Sequence, residues 1–198
     1  MFIQIIQAPC TRQDEARALG DRWVEELGPG ANGWLGGTYG FTDDDQFVGV
    51  IRFDTRENAM ANSARPEQGQ WWAEMEKCFD GPAEFHDCND VTLMMGGGSD
   101  DAGFVQIIRG KVDDPAKLKA MMTDTESLHD MRPDILGGTL AIEDDGTFTE
   151  TIAFTSEDEA RRYEASAPMP EDMARQMDSV MHDVTYMDLH NPWFASAR

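Results

Sequence analysis

The sequence predicts an α+β protein built as two ferredoxin-like βαββαβ repeats. Three observations predict it. Leu35-Gly36-Gly37-Thr38 occurs again as Leu136-Gly137-Gly138-Thr139, about a hundred residues on. Phe2-Ile3-Gln4-Ile5-Ile6 returns as Phe104-Val105-Gln106-Ile107-Ile108. Asp44, Phe47, Phe53, Ala59, Pro66, Met75 and Asp87 return in the same order as Asp145, Phe148, Phe154, Ala160, Pro168, Met177 and Asp188. Chance does not preserve such an order.

Each element follows from local chemistry. Phe2 to Gln7 is a β-branched, apolar run and reads as a strand. Cys10 to Leu27 is helical, with Ala16, Leu19, Trp23 and Leu27 near helical spacing, and Gly28-Pro29-Gly30 stops it. Trp34 to Thr42 and Gln46 to Asp54 form a hairpin across Asp43-Asp44-Asp45. Thr55 is the expected N-cap of a helix that breaks at Arg65-Pro66 and resumes from Glu67 to Phe79. Ala83 to Met94 supplies a fourth strand. The second copy has strand Phe104 to Gly110, helix Pro115 to Met131 opened by Asp114-Pro115, and hairpin strands Ile135 to Ile142 and Thr147 to Phe154. A broken helix over Ser156–Ala165 and Glu171–Met181 and a last strand, Val184 to Leu189, complete it. The expected domains are residues 1–95 and 104–198, joined by a flexible glycine-rich linker at 96–103.

Strand faces carry the reading further. Phe47, Ile51 and Phe53 share a face, as do Phe148, Ile152 and Phe154. These apolar faces are expected to pack the helices. The opposite faces, with Val48 and Val50 or Thr149 and Thr151, are expected to meet the other copy's sheet. Facing antiparallel sheets would then close an α+β barrel within one chain.

Composition bounds the function. Lys plus Arg is 16 against 38 Asp plus Glu, a formal charge of −22. Such a surface repels nucleic acid and anionic membrane. No apolar run reaches the length of a membrane span and no signal peptide is legible. Cys10, Cys78 and Cys88 are odd in number and all lie in the first copy, which predicts free thiols and a cytoplasmic location.

The Phe-x-Gln-Ile-Ile opening, the Leu-Gly-Gly-Thr hairpin and the proline-broken second helix resemble the dimeric α+β barrel superfamily, which includes antibiotic-biosynthesis monooxygenase-type proteins. The resemblance spans nearly the whole chain, twice. It implies small-molecule binding or cofactor-independent oxygenase chemistry on an electron-rich aromatic compound. It also implies a pseudo-dimer within one chain, as a monomer or a homodimer. No cofactor is called for. A non-catalytic protein-interaction module is the alternative, and haem binding or degradation is a weaker one.

Four residues are the candidate ligand-binding set: Gln4, Trp34, Trp72 and His86. Gln4 and its counterpart Gln106 place an amide on an otherwise apolar strand face, which needs a partner; a structural bond to backbone is the competing reading. Trp34 and Trp72 belong to an aromatic excess in the first copy, which holds four of the 5 tryptophans. His86 and Cys88 become Met187 and Leu189 in the second copy, so their positions are expected to be enclosed. Their spacing, even with Cys78, fits no metal template, so no metal site is expected. In the haem-degrading branch of the superfamily the haem histidine sits on the second helix, whereas His86 sits in a strand. The interior of residues 1–95 is expected to hold the larger pocket.

Overall fold

The computed structural model describes residues 1–122, 130–166 and 171–197. Strand alternation decides its sheets. In the first sheet β1 (Phe2–Pro9) lies between β3 (Gln46–Phe53) and β4 (Glu84–Cys88), and β2 (Trp34–Phe41) pairs outside β3. In the second, β6 (Phe104–Val112) lies between β8 (Thr147–Phe154) and β9 (Met181–Leu189), with β7 (Ile135–Ile142) outside β8. Each sheet gains a fifth strand at its β2 or β7 edge: β10 (Trp193–Ser196) pairs β2, and β5 (Asp90–Met94) pairs β7. All the pairings are antiparallel. The helices are α1 (Gln13–Glu26), α2 (Arg56–Ser63) and α3 (Pro66–Met75) in the first copy. In the second, among the described residues, they include α4 (Pro115–Met122), α5 (Glu157–Ser166) and α6 (Glu171–Asp178).

The expected cap chemistry is present. Thr55 Oγ1 accepts from Asn58 N at 3.2 Å, and Asp114 Oδ1 accepts from Lys117 N at 3.0 Å. Pro66 opens α3 at the predicted break. Its repeat counterpart, Pro168, and part of the helix expected to run to Met131 lie outside the described residues.

Met181, expected to close the last helix, instead opens β9, and two larger boundaries also differ from the sequence reading. Residues 83–94 form two strands, not one: Asn89 separates β4 in the first sheet from β5 in the second. The chain therefore forms one compact unit from Met1–Asn89 with Trp193–Arg198, and another from Asp90–Pro192. The glycine-rich stretch at 96–103 connects β5 to β6 inside the second unit. Each repeat is thus followed by a strand that joins the sheet built mainly by the other. The physical reason is the sheet edge: β2 and β7 would otherwise expose a row of unpaired backbone groups.

The repeated Leu-Gly-Gly-Thr fits this edge. Gly36 and Gly137 have φ of 137° and 149°, and each sits at a bulge against the neighbouring hairpin strand. A Cβ on Gly36 would lie 2.5 Å from the Ala195 carbonyl oxygen; on Gly137 it would lie 1.8 Å from that of Gly97. Only glycine admits both the backbone angle and the close approach.

In the first unit the helix-facing side of the sheet buries Phe2, Ile6, Ala8, Phe47 and Phe53. In the second, Phe104, Leu140, Phe148 and Phe154 do so. Each fully buried large apolar side chain contributes roughly 1.5–3 kcal/mol. The opposite strand faces are buried too, with Ile3, Ile5, Val48, Val50, Val105 and Ile107 at most 1% exposed. Cys10, Cys78 and Cys88 are free thiols, all buried. No helix among the described residues is long and apolar enough to cross a membrane.

Candidate functional site

Small residues open a space in the first unit. On α1, Ala16 and Gly20 lie four apart on one helix face, and on α3 a Cβ at Gly69 would meet nothing within 4 Å. Under them is a cavity of about 260 Å³ between α1, α2, α3 and the sheet. For scale, a dry apolar cavity of roughly 150 Å³ takes up benzene.

Its walls are largely aromatic: Trp23, Tyr39, Phe47, Phe53, Trp71, Trp72, Phe85 and Trp193. Tyr39 and Trp193 stack at 5.6 Å with their planes 23° apart, and the Arg17 guanidinium lies 5.1 Å over the Trp193 ring. Trp72 packs against Phe85 at 5.2 Å and Trp71 at 6.1 Å. Parallel and tilted rings of this kind suit a flat guest.

The polar lining is held in fixed orientation by partners that can only donate or only accept. Trp23 Nε1 donates to Gln68 Oε1 at 2.5 Å, which turns the Gln68 amide nitrogen away from Trp23. Arg65 donates to Asn62 Oδ1 at 3.0 Å, which leaves the Asn62 amide N–H groups for another acceptor. Gln4 Nε2 donates to Asp87 Oδ1 at 2.8 Å, leaving the Gln4 carbonyl oxygen as an acceptor. Burial pushes the Tyr39 phenol up to about 12, only partly offset by Arg52, so it stays an O–H donor at neutral pH. Tyr39 is the one titratable group among the described lining residues. Gly37 makes room for it: a Cβ there would fall 2.1 Å from the Tyr39 hydroxyl.

No family model matches the chain, and no curated protein matches it. Solved structures do. One, from Lactobacillus acidophilus NCFM and described as a "putative monooxygenase", aligns with a TM-score of 0.74 at 11% identity, covering 100% of this chain and 97% of that one. Another so described, from Fusobacterium nucleatum, aligns at 0.74 and 10% identity over 98% and 94% of the chains. An anthrone oxidase-like protein aligns at 0.64 and 11% identity over 99% and 93%. The chain shares the fold of these structures over nearly its whole length, and its two halves repeat one strand order.

Within this duplicated fold the four predicted residues separate. Gln4 and Trp72 line the cavity. The Gln4 amide is bonded to a carboxylate rather than to backbone, and the second copy repeats the bond, Gln106 Nε2 to Asp188 Oδ1 at 2.8 Å. Trp34 is not in the lining. It is buried just behind the lining, opposite Phe53 in the sheet and edge-on to Trp23 at 5.0 Å, with Nε1 unpartnered among the described residues. His86 is not in the lining either. It pairs with Ile5, so it shares the sheet face opposite Gln4, with Glu84 at 3.9 Å. The same alternation puts Phe85 and Asp87 on the cavity side, a correction available from period two alone. Among the described residues, no three His, Cys, Asp or Glu side chains cluster in a way that could hold a metal ion. Trp193 gave no sequence signal for the site, because it follows the second copy and reaches the first sheet only through β10.

Proposed function

We propose that the first-unit cavity binds a flat, mostly apolar aromatic molecule bearing oxygen acceptors, and that the protein is a cofactor-independent, monooxygenase-like enzyme. The observation that carries this reading is the aromatic cavity with tethered amide donors at Gln68 and Asn62. The likeness to structures described as monooxygenases supports it at the level of fold. Among the described lining residues no side chain can take a proton near neutral pH, so the substrate must supply its own acidity. An anthrone meets that requirement, and the anthrone oxidase-like neighbour motivates it as the probe. In the overall reaction two C–H bonds of the methylene and the O=O bond break, and a C=O bond and one water form. The substrate loses four electrons, and dioxygen accepts them. The protein's part is to orient the ring, hold its carbonyl oxygen on N–H and O–H donors, and exclude water.

The test is oxygen uptake with anthrone, alongside quenching of tryptophan fluorescence. Saturable quenching with uptake and anthraquinone formation is the expected result. Saturable quenching without uptake would leave a binding protein. Neither signal would overturn both. Native mass spectrometry of freshly purified protein would show any retained organic ligand.

A further inference from the structure

We infer that the second half carries a proton-binding site at Glu150, whose ionisation loosens that half of the molecule. Repeat register places Glu150 where the first copy has Gly49. A Cβ at Gly49 would lie 3.2 Å from Tyr39 and 3.3 Å from Ile51 and Phe47, all cavity-lining residues. The duplicated sheet therefore exchanges a glycine beside the cavity for a carboxyl at the matching point.

That carboxyl is enclosed by apolar neighbours. Glu150 pairs with Ile108 on one side and Leu140 on the other, so the three share the helix-facing side of the sheet. Leu140 and Ile108 pack with Phe148, Leu118 and Ile142. Glu150 is 7% exposed and has no hydrogen bond or ion pair among the described residues.

Among the described residues, these charges on the surrounding elements have partners or solvent of their own. On β9, Asp188 accepts from Gln106 and from Arg161 of α5. Arg161 also meets Glu157 and Glu164. Tyr186, across β6 from Glu150, is 62% exposed. On β5, Asp90 is held by Lys119 of α4. Lys117 of α4 donates to Ser179 at 3.0 Å. Arg175 of α6 pairs with Glu171 at 3.3 Å, and both are well exposed.

An unpaired carboxylate in such a setting is expensive, so the folded state holds the proton. Burial pushes the Glu150 carboxyl up to about 7, above an ordinary 4.5. A group raised on folding stabilises the native state at low pH and loses that contribution as pH climbs through its folded value. From pH 6 to pH 8 the equilibrium for opening the second half should therefore rise about tenfold from this group alone.

The test is hydrogen exchange of the full chain, read by mass spectrometry on peptides covering β6 and β8, for wild type and Glu150→Gln. Glutamine keeps the shape and cannot ionise. After correction for the intrinsic exchange rate, the ratio of opening constants, wild type over variant, should increase about tenfold between pH 6 and pH 8. A ratio that stays constant over that range would overturn the inference. A carboxyl carbon resonance of Glu150 titrating near 4.5 in the intact protein would overturn it independently.

Discussion

Gln4 donates its amide hydrogen to Asp87 across the β1–β4 pair at 2.8 Å, and the second copy reproduces the bond between Gln106 and Asp188. A carboxylate accepts, so the bond fixes which end of each amide faces inward. Asp87→Ala should lower stability by about 1 kcal/mol, because the amide is only partly buried and water can take the vacated place. It should also weaken ligand binding by freeing the Gln4 rotamer. Asp188→Ala should cost more, because Asp188 takes a direct hydrogen bond from Arg161, whereas Arg56 stays 3.9 Å from Asp87. Urea unfolding of the two variants checks the order.

Gly137→Ala should destabilise by about 2–4 kcal/mol, from the positive φ and from the Gly97 carbonyl in the way. Gly36→Ala should behave similarly, against the Ala195 carbonyl. Gly69→Ala is the contrasting case. It lies inside α3 with open space around its Cβ, so alanine should stabilise by about 0.5–1 kcal/mol while shrinking the cavity. Thermal melts distinguish the three.

Removing residues 193–198 should strip Trp193 from its stack on Tyr39 and expose the β2 edge. Loss of a buried tryptophan costs about 3–5 kcal/mol. Exchange protection should fall in β2 and β3, and anthrone quenching should weaken or vanish. Unchanged protection in β2 would contradict the role assigned to β10.

Tyr39 ties the cavity to alkaline pH. Its phenol ionises at about 12 when folded, against 10.0 ordinarily, so its contribution to stability is complete below pH 10 and is lost between about 10 and 12. Tyr39→Phe should remove that part of the alkaline loss. Phenolate absorbance followed with pH, compared between wild type and variant, measures it directly.

The repeat made the βαββαβ order legible, because matched residues such as Phe47 and Phe148 hold one face through two copies. Thr55 and Asp114 announced helix starts through local chemistry that the structure keeps. The fifth strands were not legible. Asp90–Met94 reads as a continuation of β4, and nothing local says that Asn89 is where the chain leaves one sheet for the other. The cavity was half legible. Gln4 was singled out as an amide on an apolar strand face and Trp72 as part of an aromatic excess, and both border the cavity. His86 was drawn in by its chemistry, although its pairing with Ile5 turns it to the opposite face. Glu150 carried a signal that went unread: period two places it between Phe148 and Ile152, on the face expected to pack the helices.

The crossed allocation of β5 and β10 has a consequence for biosynthesis. A ribosome releases the first copy long before Trp193 exists, so β2 must wait with an open edge while the second copy is made. The second unit faces no such delay, since β5 precedes the strand it joins. Folding should thus finish first in the later-made half and last in the half that holds the aromatic cavity, through a contact that joins the two ends of a long loop. Until Trp193 seats on Tyr39, the nascent chain has an aromatic, unpaired strand that a chaperone or a second nascent chain can capture.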